Sequence, residues 1–424
     1  MTRVLSFAVL LVASIIVGGP GCAHHPPELP LASDAVESPT ATISSMAVTE
    51  RSKASGIRIS RGERQMVVWS PSQGVNAASR TWGKTTHPWF FRMNPDTFVV
   101  YYQIIGDKGG EAKGIAPADW PMYTDDRGRT WKHGNPMLWG DGLPPFSLSI
   151  KKDEPIVTHW GFGFVRTDFR DGISFGMTQE TTGGAQERYG SGVWSKDGRI
   201  WFGPYRITSF TPFHCGGIWW LPSSVELDDG TLLAIAFARV RHEEVGPRPF
   251  TLLMFESRDQ GRTFHYRSTI ATPAQTAWSS DEGPNEADLV RLPDGELLVV
   301  ARVGKYNVPL VEARSRDDGR TWTLQQMELR GVNPQFCQMR DGTLALVYGR
   351  PGTHIVFSRD GGRSWKNRVS LPPDGYFTTG YGDVEEVEPG RLLVIYDAQD
   401  YPWKDESGTR IKVNAIFSEI LTVR

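Results

Sequence analysis

SRDDGRTW at 315–322 and SRDGGRSW at 358–365 are two copies of one short motif, and reading them as a turn decides the fold. TDDRGRTW at 124–131, SKDGRIW at 195–201 and SRDQGRTF at 257–264 repeat it, so the chain carries five copies. The physics of each copy is local. A Ser or Thr and an Asp hydrogen-bond the backbone of their own turn, a Gly supplies positive φ, and the closing Trp or Phe plugs the layer beneath. Recurrence at tens-of-residues spacing implies stacked supersecondary units. The aspartates of the motif therefore read as structural groups, and Trp131, Trp201, Trp322 and Trp365 as packing residues.

A second repeat interleaves with the first. Hairpin signals occur as ELDDGTLLAIAF, RLPDGELLVVA and QMRDGTLALVY, with weaker relatives NPDTFVVYY, KKDEPIV and VEPGRLLVIY. Their turns fall at Asp96, Asp153, Asp229, Asp294, Asp341 and Pro389, giving intervals of 57, 76, 65, 47 and 48 residues. Six hairpins predict six blades of an all-β, six-bladed β-propeller, since each blade of four short strands takes about 40–50 residues. The longer intervals place extra loops in blades two and three, where specificity is commonly built. With 424 residues, 11% aromatics, 45 Gly and 29 Pro, the composition suits many strands joined by tight turns in one large domain over 57–424. A net charge of −2 leaves no basic footprint for nucleic acid.

The N-terminus reads as an export signal over 1–22: Arg3, an apolar run from Val4 to Val17 too short for a membrane span, then small residues ending at Cys22. Cys22 after Gly-Pro-Gly resembles a bacterial lipoprotein acceptor, although Pro20 departs from that pattern. The implied location is the cell envelope as a lipoprotein, or the periplasm or medium after simple cleavage, with membrane attachment only through Cys22. Residues 23–56, rich in Pro, Ser, Thr and Ala, read as a flexible linker, and His24 and His25 as a chance pair within it. An exported chain permits a disulfide between Cys215 and Cys337, but nothing places them together, and two buried thiols satisfy the sequence as well. No metal, nucleotide or dinucleotide motif is present, so neither metal nor cofactor is expected, and a monomer is.

The innermost strand of each blade precedes its hairpin turn. Eight residues back from each turn lie Pro88 beside His87, Pro145, Leu221 beside Trp220, Glu286, Asn333 and Tyr381. A carboxylate, an amide and a phenol at one depth would be costly in a sealed core, so a wet functional cavity explains them better. The next strand ends in Arg239, Arg302 and Arg350 on three successive blades. Either these are surface arginines paired with nearby acids, or they converge on an anionic substrate group, to which planar guanidinium is suited.

Over most of residues 80–424 the chain resembles the sialidase (neuraminidase) superfamily, whose six-bladed propellers carry such Asp-box (BNR) repeats. NEADLVRLPDGELLVVAR resembles the family segment in which a catalytic Glu precedes a hairpin and an Arg follows it, here Glu286 and Arg302. YGRPGTHIVFSRDGGRSW resembles the segment with the third arginine of a carboxylate-binding triad, here Arg350. TTGYGDVEEVEPGRLLVIYD resembles the segment with the nucleophilic Tyr, here Tyr381. The resemblance implies an exo-glycosidase acting on terminal acidic sugars. An anomeric carboxylate would repel an Asp or Glu nucleophile, so a Tyr attacks instead, activated by Glu286 as base. The leaving group then needs an acid, for which Asp107, or less aptly Glu111, is available in QIIGDKGGEAKG.

One departure bears on the substrate. The family opens its first blade with an Arg-Ile-Pro segment whose Arg completes the triad, whereas KTTHPWFFRMNPD puts His87 there, with Arg80 and Arg92 nearby but out of context. His87, Asn333 and the three arginines are the candidate substrate-binding groups. Two other functions stay open: β-elimination on an Arg-bound uronate by a His and a Tyr, as in a polysaccharide lyase, and glycan binding without turnover. His87 beside Pro88 also suits a structural role, and Trp219 and Trp220 suit either sugar stacking or packing.

Overall fold

The runs LLVVA and LALVYG alternate with nothing: every residue of Leu297–Ala301 and Leu344–Gly349 is buried. A strand reads this way when both faces are covered, and here neighbouring blades cover them. The outer strand Thr323–Arg330, in contrast, alternates exposed and half-buried residues. The computed structural model describes residues 49–51, 56–72, 85–103, 121–134, 136–140, 162–178, 182–183, 186–240, 249–276, 282–304, 307–372, 376–404 and 407–424. The expected leader with Cys22, His24 and His25, most of the linker, and Arg80, Asp107, Glu111, Pro145 and Asp153 lie outside them.

Six antiparallel blades follow in chain order. Their inner strands are Thr86–Arg92, Phe162–Asp168, Cys215–Glu226, Ala287–Arg291, Val332–Gln338 and Gly382–Glu388. Each contacts the next, and the sixth contacts the first, so they enclose a central channel. Hydrophobic clusters fill the spaces between blades; one of them unites Phe175 and Trp194 of blade two with Ile218, Trp220 and Phe255 of blade three. Among the described residues the sole helical turn is a 3-10 segment at Ala274–Thr276.

The ring closes with strands from both ends of the chain. Blade six takes Gly382–Glu388, Arg391–Lys404 and Arg410–Val423 from the C-terminus, and its fourth strand, Arg58–Pro71, comes from the N-terminal side. This explains five turn motifs among six blades. The motif joins third and fourth strands, and in blade six those strands are not consecutive in sequence. The expected linker also ends earlier than residue 56, because Thr49–Arg51 pairs with Arg58–Ser60.

The turn motifs form as their composition requires. In the fourth, Ser315 Oγ accepts from Gly319 N at 2.8 Å, and Asp317 accepts from Arg320 N, Thr321 N and Thr321 Oγ1 at 2.7–3.1 Å. Gly319 sits at φ +79, where a side chain would be strained. Trp322 closes the turn by donating its indole N–H to Ser268 of blade three at 3.0 Å.

Two readings are corrected. The hairpin of blade two does not turn at Asp153: its strands are Phe162–Asp168 and Ser174–Thr178, and the turn is Phe169–Ile173, closed by Phe169 N to Ile173 O at 2.8 Å. The long interval consequently falls between Asp96 and Asp171, and the extra chain belongs to blade one and the entry to blade two. Of the two arrangements open to Cys215 and Cys337, the structure shows two buried thiols with no bridge between them.

Candidate active site

Glu286 stands at the head of blade four's inner strand. Arg302 N donates to Glu286 O at 2.8 Å, one step beyond the Ala287–Ala301 pair, so Glu286 and Arg302 are cross-strand neighbours by register alone. Arg302 Nη1 then donates to Glu286 Oε1 at 2.6 Å, its Nη2 reaches Glu282 at 3.1 Å, and its Nε donates to Gly304 O at 2.7 Å. From blade five, Asn333 N donates to the other oxygen, Glu286 Oε2, at 3.2 Å.

Tyr381 precedes the inner strand of blade six, and its hydroxyl donates to Glu286 Oε1 in a short hydrogen bond. A buried carboxylate sets the turn that presents it. Asp397 accepts from Thr378 Oγ1 and Thr379 Oγ1, both at 2.8 Å, and from Thr379 N at 3.1 Å. Arg350 comes alongside because two glycines let the backbones touch: a Cβ on Gly349 would lie 2.0 Å from Gly380 O. Arg350 Nε donates to Thr379 O at 2.6 Å, and its guanidinium carbon is 5.6 Å from the Tyr381 ring centroid. On the other side the His87 ring meets Tyr381 edge-on at 4.1 Å between centroids, and Trp89 adds a second edge contact at 6.4 Å. His87, Asn333 and Arg350 all hold positive φ, at +52, +47 and +59, a strain that clusters where a site over-determines its backbone.

Electrostatics follow from this packing. Burial alone would raise Glu286, but the charge and hydrogen bond of Arg302, the Tyr381 hydroxyl and the charge of Arg350 together hold it below the usual glutamate value. Burial, then the Glu286 charge, pushes Tyr381 well above the usual phenol. The resting state is thus a neutral phenol donating to a carboxylate. Burial and then the charges of Arg350 and Arg302 keep His87 far below its ordinary value, so it is neutral at pH 7.

The structure brings Glu286, Tyr381, Arg302, Arg350, Asn333 and His87 together. Two of these have narrower roles than expected. Asn333 is buried, its amide donating to Gly382 O at 3.5 Å and accepting from Gln335 at 3.2 Å, so it supports Glu286. Arg302 is only 7% exposed and is committed to two carboxylates. Arg239 does not join the cluster. It lies ten residues past its turn where Arg302 lies eight past its own, and the longer strand carries it out to an exposed position 4.7 Å over the Phe250 ring. Trp220 is fully buried, while Trp219 stacks on Phe237 at 5.5 Å. Arg92 lies 3.8 Å from Glu385 and does not fill the missing arginine's place. Glu282 and Asp397 were not anticipated. Glu282 shares the stretch EGPNE with Glu286, and Asp397 stands eight residues past Pro389, matching the spacing of Arg302 from Asp294.

One level further down the same strands lie Asp288 and Asp383, both buried, in a channel cavity of about 160 Å³ with Gln335, Phe90, Arg92 and Glu385. Burial raises both carboxyls, Asp288 to about 7. Among the described residues no group of His, Cys, Asp or Glu is arranged to hold a metal.

The BNR repeat-like domain family matches residues 173–394, more than half of the chain. The chain belongs to that family. A sialidase of Vibrio cholerae serotype O1 is 25% identical over 178 residues, covering 34% of this chain and 22% of that protein, so the match spans about a fifth of the relative's length. A protein of unknown function from Dyadobacter fermentans has the same fold at a TM-score of 0.58 and 17% identity, covering 87% of this chain and 100% of that one. The Hadza microbial sialidase follows at 0.53 and 17% identity, over 79% and 65% of the two chains. This BNR-family chain is thus a β-propeller that is similar in fold, and over a third of its length in sequence, to sialidases.

Proposed function

We propose that this BNR-family chain is a retaining exo-glycosidase of sialidase type that removes a terminal acidic sugar, sialic acid or a related anionic residue. The observation that carries the reading is the Tyr381 hydroxyl donating to the buried Glu286 carboxylate beneath two guanidiniums. In the reaction Tyr381 Oη attacks the anomeric carbon while its proton passes to Glu286. The bond to the leaving oxygen breaks as that oxygen takes a proton from an acid, the role proposed for Asp107. Water then cleaves the tyrosyl-sugar bond, with the protons returned in reverse. Arg302 keeps Glu286 ionised so that it can act as base, and Arg350, half-buried beside Tyr381, meets the substrate carboxylate. His87 stands where the family places another guanidinium. The absent charge-assisted hydrogen bonds amount to about 1.5–3 kcal/mol, which favours an acidic sugar that needs a smaller clamp than a full triad offers.

The neutral His87 beside Tyr381 favours a second reading, in which His87 takes the proton next to a uronate carboxylate and Tyr381 protonates the leaving oxygen. Release of fluorophore from an aryl sialoside and other acidic aryl glycosides by wild type, abolished in Tyr381→Phe, supports the glycosidase. An unsaturated sugar appearing in ultraviolet absorbance from uronate polymers, without hydrolysis of any aryl glycoside, replaces it with the lyase. Glycan binding with neither signal removes both.

A further inference from the structure

A groove of about 430 Å³ lies between blades four and five, on the outer side of the strand that ends in Arg350. Its lining includes Pro351, the residue after Arg350, so the groove starts beside the site and extends away from it along the blade junction. Leu329, Tyr348 and Trp365 give it an apolar and aromatic floor.

Two features separate this groove from ordinary inter-blade packing. The first is an orphaned donor. Trp131 and Trp322, which close turn motifs as Trp365 does, give their indole N–H to Ser418 at 2.9 Å and to Ser268 at 3.0 Å. The Trp365 indole nitrogen is buried and meets no acceptor among the described residues. A buried donor without a partner is costly unless a ligand or water supplies the acceptor. The second is charge. Arg330, Lys366 and Arg368 stand exposed around the groove, and among the described residues none forms an ion pair. Among the described residues Arg330 donates only to Asn307 O, at 3.2 Å, and Arg368 lies 6.0 Å from the Tyr348 ring centroid. Among the described lining residues Glu328 is the single carboxylate, against three cations. Arg314 and Arg363 of the same blades, in contrast, both hold Glu296.

We propose that this groove is a second saccharide subsite, which takes an anionic sugar unit further along the glycan whose terminal residue is held at Tyr381. An apolar ring face suits the Trp365 and Leu329 floor, a sugar oxygen suits the indole N–H, and a carboxylate or sulfate suits the guanidiniums. The subsite rests on the glycosidase reading for its place along the chain, but its affinity for an acidic oligosaccharide is independent of turnover.

The test is calorimetric binding with the inactive Glu286→Gln protein, using oligosialate, oligogalacturonate and chondroitin sulfate hexasaccharides, with a neutral cello-oligosaccharide as control. At least one acidic hexasaccharide binds, the neutral one at least tenfold more weakly, and affinity falls as salt rises. Adding Arg330→Ala, Lys366→Ala and Arg368→Ala together weakens binding at least tenfold, while the same triple change in the otherwise wild-type protein leaves hydrolysis of a small aryl glycoside within twofold. Trp365→Phe, which keeps the ring and removes the N–H, weakens binding several-fold. No binding to any acidic hexasaccharide, unchanged binding in the triple variant, or equal competition by polyphosphate with Trp365→Phe at wild-type affinity each overturns the subsite. Failure of aryl glycoside turnover in wild type, with hexasaccharide binding intact, overturns the glycosidase reading alone.

Discussion

Asp317 and Asp397 each accept from four donor groups, yet their carboxyls move in opposite directions. Asp317, in a turn motif at the rim, takes donors from Ser315, Arg320 and Thr321. Burial is the largest single influence on it and raises it, but the hydrogen bonds together prevail, and its carboxyl falls to about 2. Asp397, wholly buried under the Tyr381 turn, takes donors from Thr378, Thr379 and Gln399, but burial outweighs them and its carboxyl rises to about 6. Donor number alone therefore does not set a carboxylate's state; access to water decides which effect wins. The propeller divides its aspartates accordingly. Rim aspartates stay ionised and lock turns, while burial raises Asp288, Asp383 and Asp397 in the channel and under the site; Glu286 alone among the buried site carboxyls stays ionised, because Arg302 and Arg350 offset its burial.

The sharpest way to break this division is at the site itself. Glu286→Gln lowers kcat by roughly 10²–10⁴ in an aryl glycoside assay and leaves thermal unfolding near that of wild type; a large drop in melting temperature would make Glu286 a structural group like the rim aspartates. Asp397→Asn, which replaces an acceptor oxygen by an amide donor, shifts the Tyr381 turn and lowers kcat by roughly 10–100-fold, with the circular dichroism spectrum retained. Asp317→Ala acts the other way: unfolding in urea reports a loss of about 1–3 kcal/mol, while kcat measured below the transition is unchanged.

The smallest effect concerns pH. Asp288 keeps its proton in the fold up to about 7, whereas in the unfolded chain it ionises at about 3.9 like any aspartate. The folded state thus binds more protons in that window, and stability falls as pH rises through it, by at most about 1.4 kcal/mol per pH unit for one group. Asp288→Asn flattens the melting temperature between these values; an unchanged slope would assign the pH dependence to Asp383, which burial also raises and which the Glu385 charge raises further.

Much of this was readable along the chain because it is local. A Ser, an Asp, a Gly and a Trp within eight residues close a turn wherever they occur, and the apolar runs after Asp229, Asp294 and Asp341 name the middle strands. Counting back from Asp294, Asp341 and Pro389 reached Glu286, Asn333 and Tyr381 because a strand's register keeps equivalent depth at equivalent spacing. The same counting fails in blade two, where DFRDGISF is a hairpin without a strong apolar run on either side and KKDEPIV imitates a turn. It failed for Arg239 as well, since a longer strand moves its end off the common level. Glu282 and Asp397 escaped because their significance lies in partners on other strands.

Residues close in sequence were therefore enough to determine the blades, their number and the chemical types at the channel mouth, since turn and strand preferences are short-range. Which strand closes the ring was decided only in three dimensions. Arg58–Pro71 pairs with Arg410–Val423, and no local pattern announces a partner more than three hundred residues away. Protonation state was decided there too, because whether a carboxylate keeps its charge depends on the water and the guanidiniums that folding leaves around it.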